Sequence, residues 1–278
     1  MLQTSSARLA LIRLPFSNLL RPAAPLLAAP ATSSRRFGAT ADLCVRRFRC
    51  TEEEAKRVEG KLQERKRHGG DYRVYNGRCD ELQKRLSLSE AELKKVVVST
   101  PPVLGYNFKD NVEPSLAKLQ NRLDLSEAEL KKVVVKLPPV LGYSFEENVE
   151  PSLTKLQKRL GLSEAELKKV VLSLPSVIGC SFEKNLEPKL DFLQAELGLS
   201  LEEIRGRVVA CPTLLGYSLT KRYKPRLIAC DRINADSMLV LKSVTLTDVN
   251  FCERLGFPLE ELHALAEKEE KDAEDAAR

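Results

Sequence analysis

A period of 37 residues dominates the sequence between residues 88 and 235. The segment Leu88-Ser89-Glu90 recurs at 125–127 and 162–164, and in altered form at 199–201. Two prolines keep the same register, one at positions 101, 138, 175 and 212 and the other at positions 114, 151, 188 and 225. A register held over four copies indicates a tandem array of one structural unit, which limits the fold more than any other feature of the chain.

The first half of each copy carries the start and stop signals of a helix. In the second copy, Ser126 caps the helix N-terminus and Glu129 completes a capping box. Pro138 ends the helix, since the residue before a proline avoids the α region. An apolar face at the i, i+3, i+4 spacing of a helix lies between these signals, formed by Leu130, Val133 and Val134.

The second half of each copy predicts another helix. Its apolar stripe in the second copy consists of Val149, Leu153, Leu156 and Leu160. Pro151 lies inside this pattern, so the helix either kinks there or begins there with proline in its first turn. Gly161 suits the position after the helix end, where the backbone often turns left-handed.

These signals predict an all-α fold. A two-helix unit of this size cannot bury its apolar stripes alone, so stacked neighbours are expected to form an α-solenoid of about four repeats with caps at both ends. We expect a charged N-terminal segment at 51–75, a helical repeat domain at 76–257 and an acidic, solvated C-terminal tail at 258–278.

The net charge of +6 comes mainly from residues 1–50, which hold eight arginines, no lysine and a single acid, Asp42. A segment rich in arginine, alanine and serine and poor in acids is typical of an organelle transit peptide. We therefore predict that residues 1–50 are disordered and cleaved; the alternative is a disordered basic tail. Arg35-Arg36-Phe37, followed by Thr40, resembles a mitochondrial processing site, and a mitochondrial destination is favoured over a plastid.

The composition argues against several other classes of function. The longest apolar runs fall short of the roughly 18 residues of a transmembrane helix, so no membrane association is expected. Two histidines, and seven cysteines without a Cys-x-x-Cys pair, predict no metal site. The four cysteines in apolar surroundings, Cys180, Cys211, Cys230 and Cys252, are interpreted as core thiols. Because no nucleophile set or Gly-rich phosphate loop is present, we expect no catalytic residues, no cofactor and no enzyme activity.

Several segments resemble a known family. Residues 137–144 (LPPVLGYS) are similar to the repeat of the mTERF (mitochondrial transcription termination factor) family, and residues 148–156 and 185–193 resemble its second helix. Residues 221–227 (KRYKPRL) and 247–251 (TDVNF) are similar to the family's basic-Pro-Arg signature and closing segment. The pentatricopeptide repeat has a close period, but the fixed prolines fit the mTERF repeat better.

The resemblance implies a solenoid of two helices and a short 3₁₀ turn per repeat, acting in mitochondria or plastids. It implies binding of double-stranded DNA, or of RNA, in the regulation of organellar transcription, transcription termination, transcript processing or ribosome assembly. We expect a monomer. The alternative is a helical-repeat scaffold that binds protein partners in organelle RNA processing or ribosome assembly, because solenoid surfaces bind proteins as readily.

Two sets of basic residues are the candidates for phosphate contacts. The first is a cluster in the last repeat, formed by Arg205, Arg207, Lys221, Arg222, Lys224, Arg226 and Arg232. Its alternative interpretation is a solvated face whose cations pair with Glu202, Glu203 and Asp231. The second is a ladder at equivalent repeat positions, formed by Arg85, Arg122 and Arg159 with Lys118 and Lys155 one turn earlier. Ordinary surface residues are the alternative there.

Lysine doublets and tyrosines also repeat. Lys94-Lys95 recurs at 131–132 and 168–169, and Glu90 stands four residues before Lys94. We interpret the doublets as helix support through i, i+4 ion pairs. Tyrosines recur at the turn between the helices, at 106, 143 and 217, and are expected to pack as apolar groups.

Overall fold

A computed structural model describes residues 38–63 and 72–276, which belong to one structural unit. This part of the chain is all helical and contains no β-strand. Its helices are α1 (Ala39–Arg46), α2 (Glu52–Gln63), α3 (Tyr72–Leu86), α4 (Glu90–Ser99), α5 (Glu113–Leu123), α6 (Glu127–Lys136), α7 (Glu150–Leu160), α8 (Glu164–Ser173), α9 (Glu187–Ala195), α10 (Leu201–Ala210), α11 (Lys224–Arg232), α12 (Leu239–Lys242), α13 (Asp248–Leu255) and α14 (Leu259–Ala276). The predicted all-α solenoid is confirmed.

The first helix of each repeat begins at the predicted capping box. The backbone N–H of Glu129 donates to Ser126 Oγ at 3.3 Å, and the N–H of Ser126 donates to the Glu129 carboxylate at 2.8 Å. The hydrogen bond from the Ser126 backbone, with help from Lys168, lowers the pKa of Glu129 to about 2. The same box caps α4, α8 and α10.

The two prolines of each repeat shape the connection between its helices. After α6 the chain makes a 3₁₀ turn, Pro138–Gly142, and then a single π-helical turn, Phe145–Val149. The wide turn includes a bond from the N–H of Val149 to the carbonyl of Ser144, five residues earlier. It delivers Pro151 to the first turn of α7, where a missing N–H costs nothing. Of the two alternatives for this proline, the structure therefore adopts the second.

The predicted apolar stripes form the core. Leu130, Val133 and Val134 of α6 are fully buried, and so are Leu153, Leu156 and Leu160 of α7. Neighbouring first helices contact one another along the row α4, α6, α8 and α10. After α7 the chain reverses through Gly161, whose φ of 61° is left-handed as predicted.

One arginine at the end of each second helix clamps successive repeats together. Arg122 of α5 donates from Nε to Glu150 at 2.9 Å, from Nη1 to Glu164 at 2.7 Å and from Nη2 to Gln157 at 2.7 Å. These partners lie on α7 and at the start of α8, so one guanidinium joins two later helices to its own. Arg85 makes the equivalent contacts with Glu113, Glu127 and Gln120. Arg159 donates to Gln194, the equivalent of Gln157, and to Asp191, and both partners lie on α9 because Leu201 replaces the third.

The same clamp extends the solenoid toward the N-terminus. Arg47, just after α1, donates to Asp80 at 2.7 Å, to Gln83 at 2.8 Å and to Glu90 at 3.1 Å. Residues 47–54 correspond to residues 85–92, shifted by 38: both segments have an arginine clamp, a left-handed residue two positions later and a capping box that begins at Thr51 or Ser89. Helices α1, α2 and α3 therefore belong to a degenerate repeat, whereas only a cap was predicted at this end of the array.

This repeat moves the predicted boundaries. Residues 38–50 are part of the folded unit, because Leu43 and Cys44 of α1 are fully buried and α1 packs on α2 and α3. The predicted boundaries at 50 and 75 do not coincide with the folded part, since a cut after residue 50 removes α1 and Arg47, and residue 75 lies inside α3. The rest of the predicted transit peptide, residues 1–37, lies outside the described residues.

The C-terminal end also differs from expectation. Val240, Val244 and Phe251 are buried and form the predicted cap at this end of the array. The expected solvated tail is instead the helix α14, which packs along α11 with Leu262 and Leu265 buried. In the described part of the chain, no helix is both long and apolar enough to cross a membrane.

Replacing one clamp should lower stability. Arg122→Met removes three charge-assisted hydrogen bonds and leaves Glu150 and Glu164 without their cation, so we expect a loss of about 2 kcal/mol in the free energy of unfolding. Urea unfolding measures it. Lys132→Met is the control: Lys132 is exposed and makes no ion pair within the described residues, so its effect should stay within about 0.5 kcal/mol. If the two variants have equal free energies of unfolding, the Arg122 clamp does not stabilise the solenoid.

Candidate nucleic-acid interface

Arg222 and Arg226, at the centre of the predicted basic cluster, point into the protein. Arg226 is 1% exposed, and its Nη2 lies 2.7 Å from the carboxylate of Asp248. Arg222 Nη1 donates to the carbonyls of Val244 and Leu246 at 3.1 and 2.6 Å. Burial lowers the pKa of Arg226, and Asp248 opposes this shift. The predicted phosphate contact of Arg226 is therefore corrected: this side chain is part of the core.

Aromatic rings complete the surroundings of both arginines. The Arg226 guanidinium carbon lies 4.5 Å from the ring centre of Phe251, and that of Arg222 lies 5.1 Å from the ring centre of Tyr217. Such cation–π contacts stabilise a desolvated guanidinium. Together with the carbonyl contacts, they attach α13 and the segment before it to α11 and the turn that precedes it.

The other cations of the cluster face the acidic helix α14. Lys221 Nζ lies 2.7 Å from Glu270, Lys224 Nζ lies 3.0 Å from Glu269, and Arg232 Nη1 lies 3.2 Å from Glu261. The Glu270 carboxylate raises the pKa of Lys221. Glu202, Glu203 and Asp231 were the expected partners, but the observed partners come from the segment that was expected to be a solvated tail.

Two further members of the cluster lie on α10. Arg205 donates to the Glu166 carboxylate of the preceding repeat at 2.9 Å. Arg207 is half-buried and makes no ion pair within the described part of the chain. The seven residues therefore do not form one exposed basic patch.

The predicted ladder is also occupied by partners within the protein. Arg85, Arg122 and Arg159 form the clamps between repeats and are only about one-fifth exposed. Lys118 and Lys155 are half-exposed and pair with Glu146 and Glu183 of the following repeat. Their surface ion pairs contribute little to stability, whereas the clamps are held by several bonds each.

The lysine doublets behave differently from expectation. Lys131 pairs with Glu92 of the preceding repeat at 2.8 Å, and Lys168 pairs with Glu129 at 3.0 Å. The predicted i, i+4 pairs are wrong, because the glutamate of each supposed pair is held by a clamp arginine instead, as in Glu127 with Arg85.

The second lysine of each doublet faces solvent. Lys95, Lys132 and Lys169 are exposed and make no ion pair with any described residue. They occupy equivalent positions on α4, α6 and α8, which are neighbours in the stack. We call these three residues the lysine row. The recurring doublet was its signal in the sequence, but a doublet alone does not tell which lysine faces the groove between helices.

Among the described residues, no three His, Cys, Asp or Glu side chains lie close enough together to bind a metal ion. Cys230 and Cys252 are buried, as predicted, whereas Cys180 and Cys211 are only partly buried. Burial raises the pKa of the Cys230 thiol to about 11.

Comparison with known proteins agrees with this architecture. The sequence model of the mTERF family matches residues 81–253, which is more than half of the chain and covers the array from α3 to α13. No curated protein matches the sequence.

Proposed function

The chain belongs to the mTERF family of organellar nucleic-acid-binding helical-repeat proteins, and on that premise we propose that it binds double-stranded DNA through the lysine row. The observation that carries this proposal is the exposure of Lys95, Lys132 and Lys169, which have no ion partner among the described residues, whereas the adjacent Lys94, Lys131 and Lys168 pair with glutamates. When an unpaired lysine binds a backbone phosphate, condensed counterions leave the nucleic acid. This release strengthens the binding.

The geometry of the row suits a polyanion. Packed helices lie about 8–10 Å apart, so equivalent lysines on α4, α6 and α8 recur at about that interval. Duplex DNA carries a phosphate about every 3.4 Å along each strand, and a regular row can therefore follow one strand. Contacts of this kind position a protein without reading the sequence.

The C-terminal cations provide a second, conditional contact area. Lys221, Lys224 and Arg232 are held in surface ion pairs, each contributing about 0–1 kcal/mol. Phosphates compete for such cations when α14 moves away. In this proposal the acidic face of α14 weakens nucleic-acid binding at the last repeat.

The function in the cell follows from binding rather than catalysis. We propose that the protein regulates organellar transcription or its termination. The alternative is a role in transcript processing through binding of structured RNA. For the subcellular localisation, we propose that the segment before α1 directs import into mitochondria, with the plastid as the alternative. Proteolytic processing then occurs near Phe37 and leaves α1 intact.

Neutralising the lysine row should weaken duplex binding. In Lys95→Gln/Lys132→Gln/Lys169→Gln, the slope of log affinity against log salt should become shallower by about 0.9 for each phosphate that the variant no longer binds. Fluorescence anisotropy with a labelled 20-base-pair duplex, at a series of salt concentrations, measures the slope. The same titration with a hairpin RNA distinguishes the two nucleic acids.

The adjacent lysines provide a matched control. Lys94→Gln/Lys131→Gln/Lys168→Gln removes the same charge from the same helices, but these lysines face glutamates. This variant should keep the wild-type slope. If both triple variants change the slope equally, only the overall charge matters and the lysine row is not the interface.

Freeing the C-terminal cations should strengthen binding. In Glu269→Gln/Glu270→Gln, Lys224 and Lys221 lose their partners, and duplex affinity at low salt should rise several-fold. Glu260→Gln/Glu267→Gln is the control, because it changes the same charge at exposed positions of α14 that have no ion pair within the described chain. An equal gain in both variants would contradict a local effect of α14.

An import assay and N-terminal sequencing test the proposed localisation and processing site. A reporter fused to residues 1–37 should enter isolated mitochondria, with isolated chloroplasts as the comparison. N-terminal sequencing of the imported full chain should then give a start between residues 37 and 40, because a later cut removes buried residues of α1. A mature protein that starts after residue 50 would contradict this boundary.

A further inference from the structure

Two clefts open at consecutive joins between repeats, beside the turns that connect the helices. The first has a volume of about 510 Å³ and lies between Ser115 and the turn at Leu141. The second, of about 380 Å³, lies between Ser152 and the turn at Ile178. The two clefts are equivalent, since their lining residues are related by the 37-residue period.

The floor of each cleft is formed by a tyrosine against a glycine. Tyr106 packs on Gly142 so closely that a Cβ there would lie 2.5 Å from the tyrosine hydroxyl, and Tyr143 packs on Gly179 in the same way. This confirms the predicted packing role of these two tyrosines. It also fixes successive turns at a constant distance from each other.

The corresponding position at the other joins carries a basic side chain that occupies this space. Residues 78, 115, 152, 189 and 226 are spaced by 37, and three of them are Arg78, Lys189 and Arg226. Lys189 is buried, and its Nζ donates to the Asn185 side-chain oxygen at 2.7 Å and to the carbonyl of Leu215 at 2.8 Å. Arg78 donates to the carbonyl of Leu104, which corresponds to that of Leu215. Arg226 donates to the carbonyl of Ser243.

The clefts keep the acceptors of this site but lack its cation. Asn111 and Asn148 correspond to Asn185, and both are exposed in their clefts. Leu141 and Ile178 correspond to Leu215. Ser152 donates instead to the carbonyl of Cys180, two residues further along the same turn, at 3.3 Å, and brings no positive charge.

The charge of the clefts also favours a cation. Asp110 and Glu146 line the first cleft with a single lysine, Lys118, which is paired with Glu146. The second has the same composition, with Glu147, Glu183 and Lys155. Each cleft therefore carries one net negative charge. A phosphate is disfavoured there, whereas an ammonium or guanidinium group gains both hydrogen bonds and charge compensation.

We infer that the two clefts receive lysine or arginine side chains of a protein partner. Clefts one repeat apart are separated by about 10 Å, the spacing of packed helices. A segment in the polyproline II conformation advances about 3.1 Å per residue with three residues per turn, so basic residues three positions apart lie on the same side of it, about 9 Å apart, and reach both clefts. The partner segment is accordingly a polyproline II segment with an Arg-x-x-Arg or Lys-x-x-Lys pattern. This protein-binding surface is separate from nucleic-acid binding.

A peptide probe tests this inference on the full chain. The fluorescently labelled peptide Gly-Arg-Gly-Gly-Arg-Gly should bind, and the same peptide with neutral citrulline in place of arginine should bind at least tenfold more weakly. Ser115→Lys/Ser152→Lys fills both clefts with the side chain that the protein itself accommodates at position 189, and should reduce binding at least tenfold.

A matched variant distinguishes the effect of filling the clefts from the effect of adding two positive charges to the protein. Ser99→Lys/Ser173→Lys adds the same charge at exposed positions equivalent to Lys136, outside the clefts, and should bind the peptide as the wild type does. The inference is overturned if the wild type does not bind the peptide at millimolar concentration, or if the two lysine variants weaken binding equally.

A second variant is needed because Ser115→Lys/Ser152→Lys could lose peptide binding by misfolding. This second variant is expected to bind the peptide more tightly, which misfolding does not explain. Lys189→Ser empties the equivalent site at the next join, so a peptide with three arginines at the same spacing should bind this variant several-fold more tightly than the wild type. No gain would count against the inference. Duplex binding, measured in parallel, should be unaffected by Lys189→Ser, so failure of one activity does not imply failure of the other.

Discussion

Every repeat of this protein depends on its neighbours to cover its apolar stripes. The helices of the repeats have only 9 to 11 residues, as in α6, α7 and α9, and helices this short are marginal in water by themselves. Burial of leucine and valine between successive repeats stabilises them. The clamp arginines then fix the relation between repeats, because Arg122 reaches partners on two later helices at once.

The clamps also decide which charges remain for binding. Charged neighbours along the sequence are not partners in space: Glu127 serves Arg85, while Lys131 turns to Glu92. Pairing between repeats engages the clamp arginines and one lysine of each doublet. The exposed lysines left on the first helices form a regular row, whereas most cations of the basic cluster in the last repeat pair with the core or with α14.

An array of near-identical repeats provides its own comparisons. At the position of Ser115, three other repeats carry a lysine or arginine whose cation binds the next turn. The two joins with serine leave a cleft at this position instead. The difference between neighbouring repeats thus defines the chemistry of the two clefts more closely than their shape does, since the acceptors are retained and only the cationic side chain is missing.

The sequence by itself determined the repeat period, the helix starts at Ser126 and its equivalents, the stops at proline and the buried stripes. These features depend on bonds between residues at most a few positions apart, which a linear pattern records. Only the tertiary structure decided that α1 belongs to the solenoid, that Arg226 is buried and that one lysine of each doublet faces solvent. Those outcomes depend on partners about 20 to 45 residues away, as for Arg226 with Asp248 and Arg47 with Glu90, and charge pairing across that distance follows from how the repeats stack.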